Sequence, residues 1–274
     1  MRIIVHEGQA HADDFLAACM VHYKTGAPVI RTCFSPEMLP DPQFWVLDQG
    51  GVFEPELHNF DHHQLQQEIC AFTMVLDYFF GRAYRDSVKG LRFLEIRDSY
   101  GSKRAAEYAG VSQGALETVT SPIHSAVLKA FSRHNGLVSE CMTEVMWSIG
   151  REISTQITDA QRLFDALTEG YAIIQASGVK VLDVSRCVPP SGYDHDSLPT
   201  KLWCKTKGVK PEVILTKDCR NEGAYRMVAV NADSLRFLPG PLSSFTHASG
   251  FLTSFDNYSD YQEILASHTS RKSK

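Results

Sequence analysis

Four histidines and four aspartates fall into three tight groups in the first quarter of this 274-residue chain. The first group is His6-Glu7-Gly8-Gln9-Ala10-His11-Ala12-Asp13-Asp14. The second is Asp48, closing the apolar run Phe44-Trp45-Val46-Leu47. The third is Asp61-His62-His63, within Asn59-Phe60-Asp61-His62-His63-Gln64. Imidazole and carboxylate donors that converge at strand ends are what a divalent cation requires. Two of the groups follow runs that read as buried strands, and packing alone does not explain such a pattern.

Taken singly, each group has a second reading. Asp13 and Asp14 are either ligands or ordinary first-turn carboxylates drawn to a helix N-terminus. Asp48 either bridges two ions or caps the turn before Gly50 and Gly51. A His-His pair on extended chain points its rings in different directions, so one ring can ligate while the other faces substrate. Asp61 is placed to orient an imidazole. Asp98 closes a helical pattern before Ser99-Tyr100-Gly101, where a carboxylate opposes the helix dipole and calls for a compensating partner; an exposed aspartate is the alternative. Near the C-terminus, Phe245-Thr246-His247-Ala248-Ser249-Gly250-Phe251 sets a histidine beside small residues. That arrangement lets a phosphate approach the backbone, and it equally describes a tight turn. Asp194-His195-Asp196 has metal-like letters but lies in a Pro/Gly/Ser-rich stretch and reads as a solvated loop.

The elements that must position these residues follow from periodicity. Arg2–Val5, Val29–Cys33 and Phe44–Leu47 read as short buried strands, with a helix over Ala12–Thr25 that Gly26 terminates. Strands alternating with helix or loop predict a parallel α/β sheet, and ligands gather beyond the carboxyl ends of such strands. Ile69–Phe80, Arg85–Arg97, Ser121–Arg133 and Met142–Leu167 read as helices. The texture then changes to short strand-like runs at Tyr171–Ile174, Val179–Val184, Lys201–Lys205, Glu212–Thr216 and Tyr225–Val230, with Pro189-Pro190 and Gly192 as punctuation. The predicted organisation is a metal-binding α/β domain over 1–140, a helical connector over 141–170 and a smaller α/β substrate-binding domain over 171–274.

A net charge of −5 argues against a general nucleic-acid coat, although bound cations would reverse the local field for a phosphate substrate. Seven cysteines without a C-x-x-C pair point away from a cysteine zinc site and toward a reducing compartment. The N-terminal apolar run is too short for a signal peptide, and no stretch reaches the length of a membrane span, so a cytoplasmic protein is expected. No P-loop, Rossmann fingerprint or G-x-S-x-G elbow is present.

Together the motifs resemble the DHH phosphoesterase superfamily, and within it the melanocyte-proliferating-gene protein family. The matching segments are His6 to Asp14, Leu47-Asp48-Gln49-Gly50-Gly51, Asp61-His62-His63-Gln64 and His247-Ala248-Ser249-Gly250-Phe251. They stand in the family's order along almost the whole chain. Three departures stand out. Asp14 occupies the place of a glutamate, Asp98 is followed by Ser-Tyr-Gly where the family has Asn-Gly, and Leu252-Thr253-Ser254 follows where the family has a further glycine and histidine.

The resemblance implies a hydrolase with two divalent ions, Mn²⁺ foremost and Mg²⁺ as the alternative. His6, His11 and Asp48 would hold one ion, and Asp13, Asp48 and His62 the other, with Asp98 shared. His63 and His247 would meet the phosphate oxygens, joined in substrate binding by Ser249 and Gly250, and Asp61 would act from behind the ligands. The expected activity is a 3′-5′ exonuclease on short RNA or oligonucleotides. A small-molecule phosphoesterase or pyrophosphatase is the second reading, and a catalytically inactive, metal-stabilised nucleotide-binding protein the third. The expected partner is the nucleotide substrate and not a membrane; self-association is left open.

Overall fold

The computed structural model describes residues 1–85, 87–118, 121–187 and 198–271. The chain forms two compact units, Met1–Ile157 and Thr158–Lys274. The sequence-predicted loop at Asp194-His195-Asp196 lies outside the described residues, as do Pro189-Pro190 and Gly192.

The first unit is built on a six-stranded sheet. In chain order its elements are β1 (Arg2–Val5), α1 (Ala12–Thr25), β2 (Val29–Arg31), β3 (Phe44–Leu47), β4 (Phe53–Glu54), β5 (Asn59–Phe60), α2 (Ala71–Phe80), α3 (Arg82–Arg85), α4 (Leu91–Ala109), α5 (Gln113–Thr118), α6 (Pro122–Ser132), β6 (Gly136–Leu137) and α7 (Glu140–Gly170). The strand order is β4-β5-β3-β1-β2-β6. The four central strands are parallel, and an antiparallel strand closes each edge. Ile3, Val5, Val29 and Leu47 are buried in a core shared with Phe15, Ala18, Phe72 and Phe131, because parallel strands covered by helices must be apolar on both faces. α1 stops at Gly26, which adopts φ 68° and donates its N–H to the His22 carbonyl at 2.8 Å.

One sequence expectation shifts here. The helix predicted over Arg85–Arg97 begins only at Leu91, because Gly90 takes φ 83° and the chain turns there before α4 starts. α4 is itself broken at Gly101 (φ 80°, ψ 178°), so Asp98 stands in the last turn before a kink. The predicted connector is a single helix, α7, and the division between the two units falls inside it, after Ile157.

The second unit continues with β7 (Ala172–Ala176), β8 (Val179–Asp183), α8 (Leu198–Thr206), β9 (Val213–Lys217), β10 (Tyr225–Ala229), β11 (Leu235–Phe237), β12 (Phe245–Thr246), β13 (Leu252–Phe255), α9 (Asp260–Ser267) and β14 (Thr269–Arg271). Its mixed sheet runs β12-β13-β10-β9-β8-β7, and β11 pairs with β14 separately. The predicted strand at Lys201–Lys205 is instead the body of α8. Thr200, Trp203 and Cys204 are the buried positions, which is a helical repeat and not an alternation of two. Among the described residues no helix is long and apolar enough to cross a membrane.

α7 lies against α1 with unusually little room. A Cβ on Gly150 would collide with the Cys19 carbonyl oxygen and sit 2.7 Å from Tyr23 Cβ. Alanine at an ordinary helix position gains ~1 kcal/mol over glycine, whereas overpacking costs ~1–3 kcal/mol. Backbone contact should make the second effect the larger. Gly150→Ala is therefore expected to lower the unfolding temperature by roughly 2–4 °C per kcal/mol of net loss, and Gly150→Leu by more. An unchanged or raised melting temperature in a calorimetric scan would show that the helices have room to separate.

Candidate metal centre

Sheet register assembles the site. Val5 of β1 pairs with Leu47 of β3, and Leu47 pairs with Phe60 of β5. The next residues along these three adjacent parallel strands are His6, Asp48 and Asp61. They therefore emerge side by side at the carboxyl edge of the sheet. The two-residue strand β5 is held in this register by Phe60, which is fully buried and stacks on Trp45 at 5.7 Å. The next two residues, His62 and His63, then fall over the end of β3.

Helix α1 brings the second set of groups. Its N-cap is His11, whose side chain makes no capping bond, and Asp13 and Asp14 occupy the first turn, both fully buried. Helix α4 brings Asp98. One turn earlier Glu95 is buried, accepting from Thr73 of α2 at 2.9 Å and from Arg92 at 3.2 Å, which fixes α4 against α2.

The distances show a single cluster. His6 Nε2 lies 2.9 Å from Asp14 Oδ2 and 3.7 Å from Asp48 Oδ2. His62 Nε2 lies 2.8 Å from Asp98 Oδ2, 3.3 Å from Asp48 Oδ1 and 4.0 Å from Asp13 Oδ2. Donor atoms of His6, His11 and Asp48 fall within 4.8 Å of one another, as do those of His11, Asp13 and Asp98 and those of Asp48, His62 and His63. Asp48 thus belongs to two of the three groupings. Its backbone has φ 56°, a left-handed conformation that aspartate tolerates better than most residues.

Buried atoms here lack hydrogen bonds. Both carboxylate oxygens of Asp13 and of Asp14, one oxygen each of Asp48 and Asp98, and His62 Nε2 have no aligned partner. The close approaches above are ionic contacts without hydrogen-bond geometry. Buried polar atoms are normally paired, because desolvation without a partner is costly. A set of orphaned oxygens and an imidazole nitrogen facing one another fits a divalent cation.

Asp61 is used differently. Its Oδ1 accepts from His63 Nδ1 at 2.6 Å and from the His63 N–H at 3.0 Å, and its Oδ2 accepts from the Gly51 N–H at 2.6 Å. Burial pushes its acidity toward the neutral form, but these bonds outweigh burial and hold its pKa below the usual value. Asp61 thus fixes the ring of His63, whose side chain is 63% exposed.

His247, Ser249 and Gly250 form a turn in the second unit. His247 Nδ1 pairs with the Ser249 hydroxyl at 2.9 Å, in an exposed stretch of chain. Gly250 has φ 71°, and a Cβ there would lie 2.7 Å from the Phe237 carbonyl oxygen, so glycine is required.

Two residues of the centre have little signal in the sequence. Asp14 reads as a helix-start carboxylate, yet it touches His6. Arg31 reads as a strand residue, yet it is fully buried and donates to the carbonyls of His6 (2.8 and 3.1 Å) and Gly8 (3.1 Å), tying down the loop after β1. An arginine inside an apolar strand was the available clue.

A parallel α/β sheet whose strand ends gather histidines and unpaired buried aspartates has the architecture of a metal-binding hydrolase. The model of the MYG1 exonuclease family, described as an uncharacterised protein family (UPF0160), matches residues 2–158, and the chain belongs to that family. No curated protein matches the chain. Two solved structures are similar over 96% of this chain. One is a DHH domain described as belonging to a family of ribosomal proteins, with 11% identity, 84% of that chain covered and a TM-score of 0.30. The other is RecJ in complex with Mn²⁺ from Thermus thermophilus, with 14% identity, 50% of that chain covered and a TM-score of 0.26. The chain thus spans about half the length of RecJ.

The centre's charge balance should be measurable in chelated protein. The close contact with Asp14 raises His6 to about 9. Burial opposes the charge on His62, but Asp48 and Asp98 overcome it and raise the group to about 10. Burial, followed by Asp48 and Asp98, pushes Asp13 well up. A folded-state pKa above the unfolded one gives stability that is present below the unfolded pKa and lost as pH climbs through the folded value. All three shifts have this sign. In EDTA the melting temperature should fall as pH rises from the ordinary histidine value of 6.5 to about 10, where the two histidines lose their protons. At about neutral pH Mn²⁺ should raise it for the wild type, while Asp13→Asn should lose the Mn²⁺ gain and melt no lower than wild type in EDTA. A variant that still gains on Mn²⁺ addition would remove Asp13 from the ligand set.

Arg31→Met tests the tether. It frees the His6–Gly8 loop without adding charge, so Mn²⁺ affinity measured by titration calorimetry should fall about 10–100-fold, the range for groups that orient ligands. Unchanged affinity would show that the loop holds its shape unaided.

Proposed function

We propose that this chain is a metal-dependent phosphodiesterase that removes nucleotides from the 3′ end of short RNA or oligonucleotides. The observation that carries this reading is the convergence of His6, His11, Asp13, Asp48, His62 and Asp98 at one sheet edge with buried oxygens unpaired. Membership of an exonuclease-named family gives it direction. These six residues would hold two divalent ions, Mn²⁺ foremost and Mg²⁺ as the alternative. Such ions, when bound, activate water at neutral pH and offset charge on a phosphate.

The chain's own groups then divide the work. Asp48 and His11 each belong to two donor groupings, and of the two the carboxylate of Asp48, with two oxygens, would be the one to serve both ions. Asp61 accepts from Nδ1 of His63 and leaves Nε2 for a phosphate oxygen, where charge grows during attack on phosphorus. Within the second unit, exposed His247 and Ser249 would offer an imidazole and a hydroxyl to an anion. A net charge of −5 favours a short substrate, since long polymers need extended basic surfaces.

The test is Mn²⁺-dependent release of mononucleotides from end-labelled RNAs of graded length. Asp48→Asn keeps a residue that tolerates the left-handed backbone and should abolish turnover. Asp61→Asn should lower kcat by about 10–100-fold, as orienting partners do. His247→Ala should raise KM more than it lowers kcat. Hydrolysis of only a small phosphoester would redirect the substrate class. Tight binding without turnover in any metal would leave a nucleotide-binding protein.

A further inference from the structure

A cavity of about 840 Å³ opens directly beside the metal centre, and both His11 and Asp98 line it. Its volume lies within the range of small-molecule sites, roughly 300–1,000 Å³. One wall is apolar, formed by Leu16, Phe72, Leu91, Phe93, Leu94 and Leu116. The lining also carries the cations Lys89 and Arg97, with His124. A second pocket of about 580 Å³ shares Gln9, Ala10, Arg97, His124 and Leu128 with the first and adds Lys129 and Arg133. Because they share these residues the two cavities adjoin, and α4 and α6 contribute to the lining of both; together they make the groove.

The charges along this groove are one-sided. Among the described residues, Asp98 is the only carboxylate lining either pocket. Arg97, Lys129 and Arg133 have no carboxylate partner among the described residues. Arg97 is close enough to His124 to help lower that imidazole's pKa, after the larger effect of burial. Exposed Arg97, Lys129 and Arg133 set three positive charges against the single carboxylate of Asp98 along one groove, a local field that attracts an anion despite the net charge of −5. A smaller cavity at the centre, about 270 Å³ and lined by His62, His63, Gln66, Gln67, Asp98 and Tyr100, has no cation among its described residues other than its histidines.

We infer that this groove is the subsite for the nucleotide next to the scissile phosphate. Its base rests on the Phe93–Leu94 wall, and the following phosphate meets Arg97, Lys129 and Arg133. The assignment rests on the phosphodiesterase reading and extends it by placing the flanking nucleotide on one side of the ligands. Apolar surface gives base-tolerant affinity through stacking and burial, and the cations add a salt-dependent contribution for each phosphate. The groove therefore selects for a flanking phosphate and not for base sequence.

The test uses the full chain and the variant Lys129→Glu/Arg133→Glu, whose residues are distant in sequence from every ligand. Hydrolysis of a short RNA is compared with that of bis(p-nitrophenyl) phosphate, a phosphodiester with no flanking phosphate. The variant should raise KM for RNA by roughly tenfold, the equivalent of one charge-assisted hydrogen bond. It should leave kcat and the small diester unaffected. The salt dependence of KM should become shallower by about 0.7 for each phosphate that the variant no longer neutralises. Independently, calorimetric titration of a nucleoside monophosphate into chelated protein should show binding to wild type that the variant weakens. If neither phosphodiester is cleaved by wild type, the catalytic reading fails while the titration still judges the groove. Equal KM values for RNA in wild type and variant, or equal monophosphate affinities, would overturn the assignment.

Discussion

Like charge packed out of water is the constraint on which the first unit depends. Asp13, Asp14, Asp48 and Asp98 face one another with little solvent, and burial and mutual repulsion push Asp13 far toward its neutral form. Such a cluster is costly unless protonation or an opposite charge answers it. His6 and His62 answer part of that charge by holding protons well above their normal range. Both oxygens of Asp13 and of Asp14 and one each of Asp48 and Asp98 remain without hydrogen-bond partners.

The rest of the unit holds that cluster in place. The parallel register sets three adjacent strand ends level, so residues distant in sequence meet within ionic range. α1 starts at the same edge and adds its dipole, which favours the carboxylates in its first turn. Glu95 locks α4 to α2 and so fixes the height of Asp98. Arg31 fastens the loop after β1 through the His6 carbonyl. A one-residue slip in β5 would carry the Asp-His-His segment to the wrong face, which explains why so short a strand is anchored by a fully buried Phe60 amid aromatic rings.

Within the Asp61-His62-His63 segment, adjacent letters take different tasks. His62 turns into the carboxylate cluster. His63 turns out, with its Nδ1 held by Asp61. Two unlike cavities adjoin the cluster, a small one lined by His62 and His63 and a larger, mainly apolar one whose lining includes Lys89 and Arg97. Asp98 lines both.

Much of this was legible in the sequence. The β-branched and aromatic runs announced β1, β2 and β3, and Gly26 announced the end of α1. His6, Asp48 and Asp61 directly follow such runs in the sequence, and the register sets them side by side. Local periodicity misled where competing signals were weak. Lys201–Lys205 alternates like a strand but buries Trp203 and Cys204 on one helical face, and the helix before Asp98 waits for Gly90. Asp14 and Arg31 could not be assigned from their neighbours, because each takes its meaning from a partner reached only through the sheet. The sequence by itself determined which chemical groups are present and that short parallel strands would carry them. The tertiary structure alone decided which carboxylate meets which imidazole, which atoms are left unpaired and where unopposed cations gather, because these depend on strand register and helix docking, interactions between residues far apart along the chain.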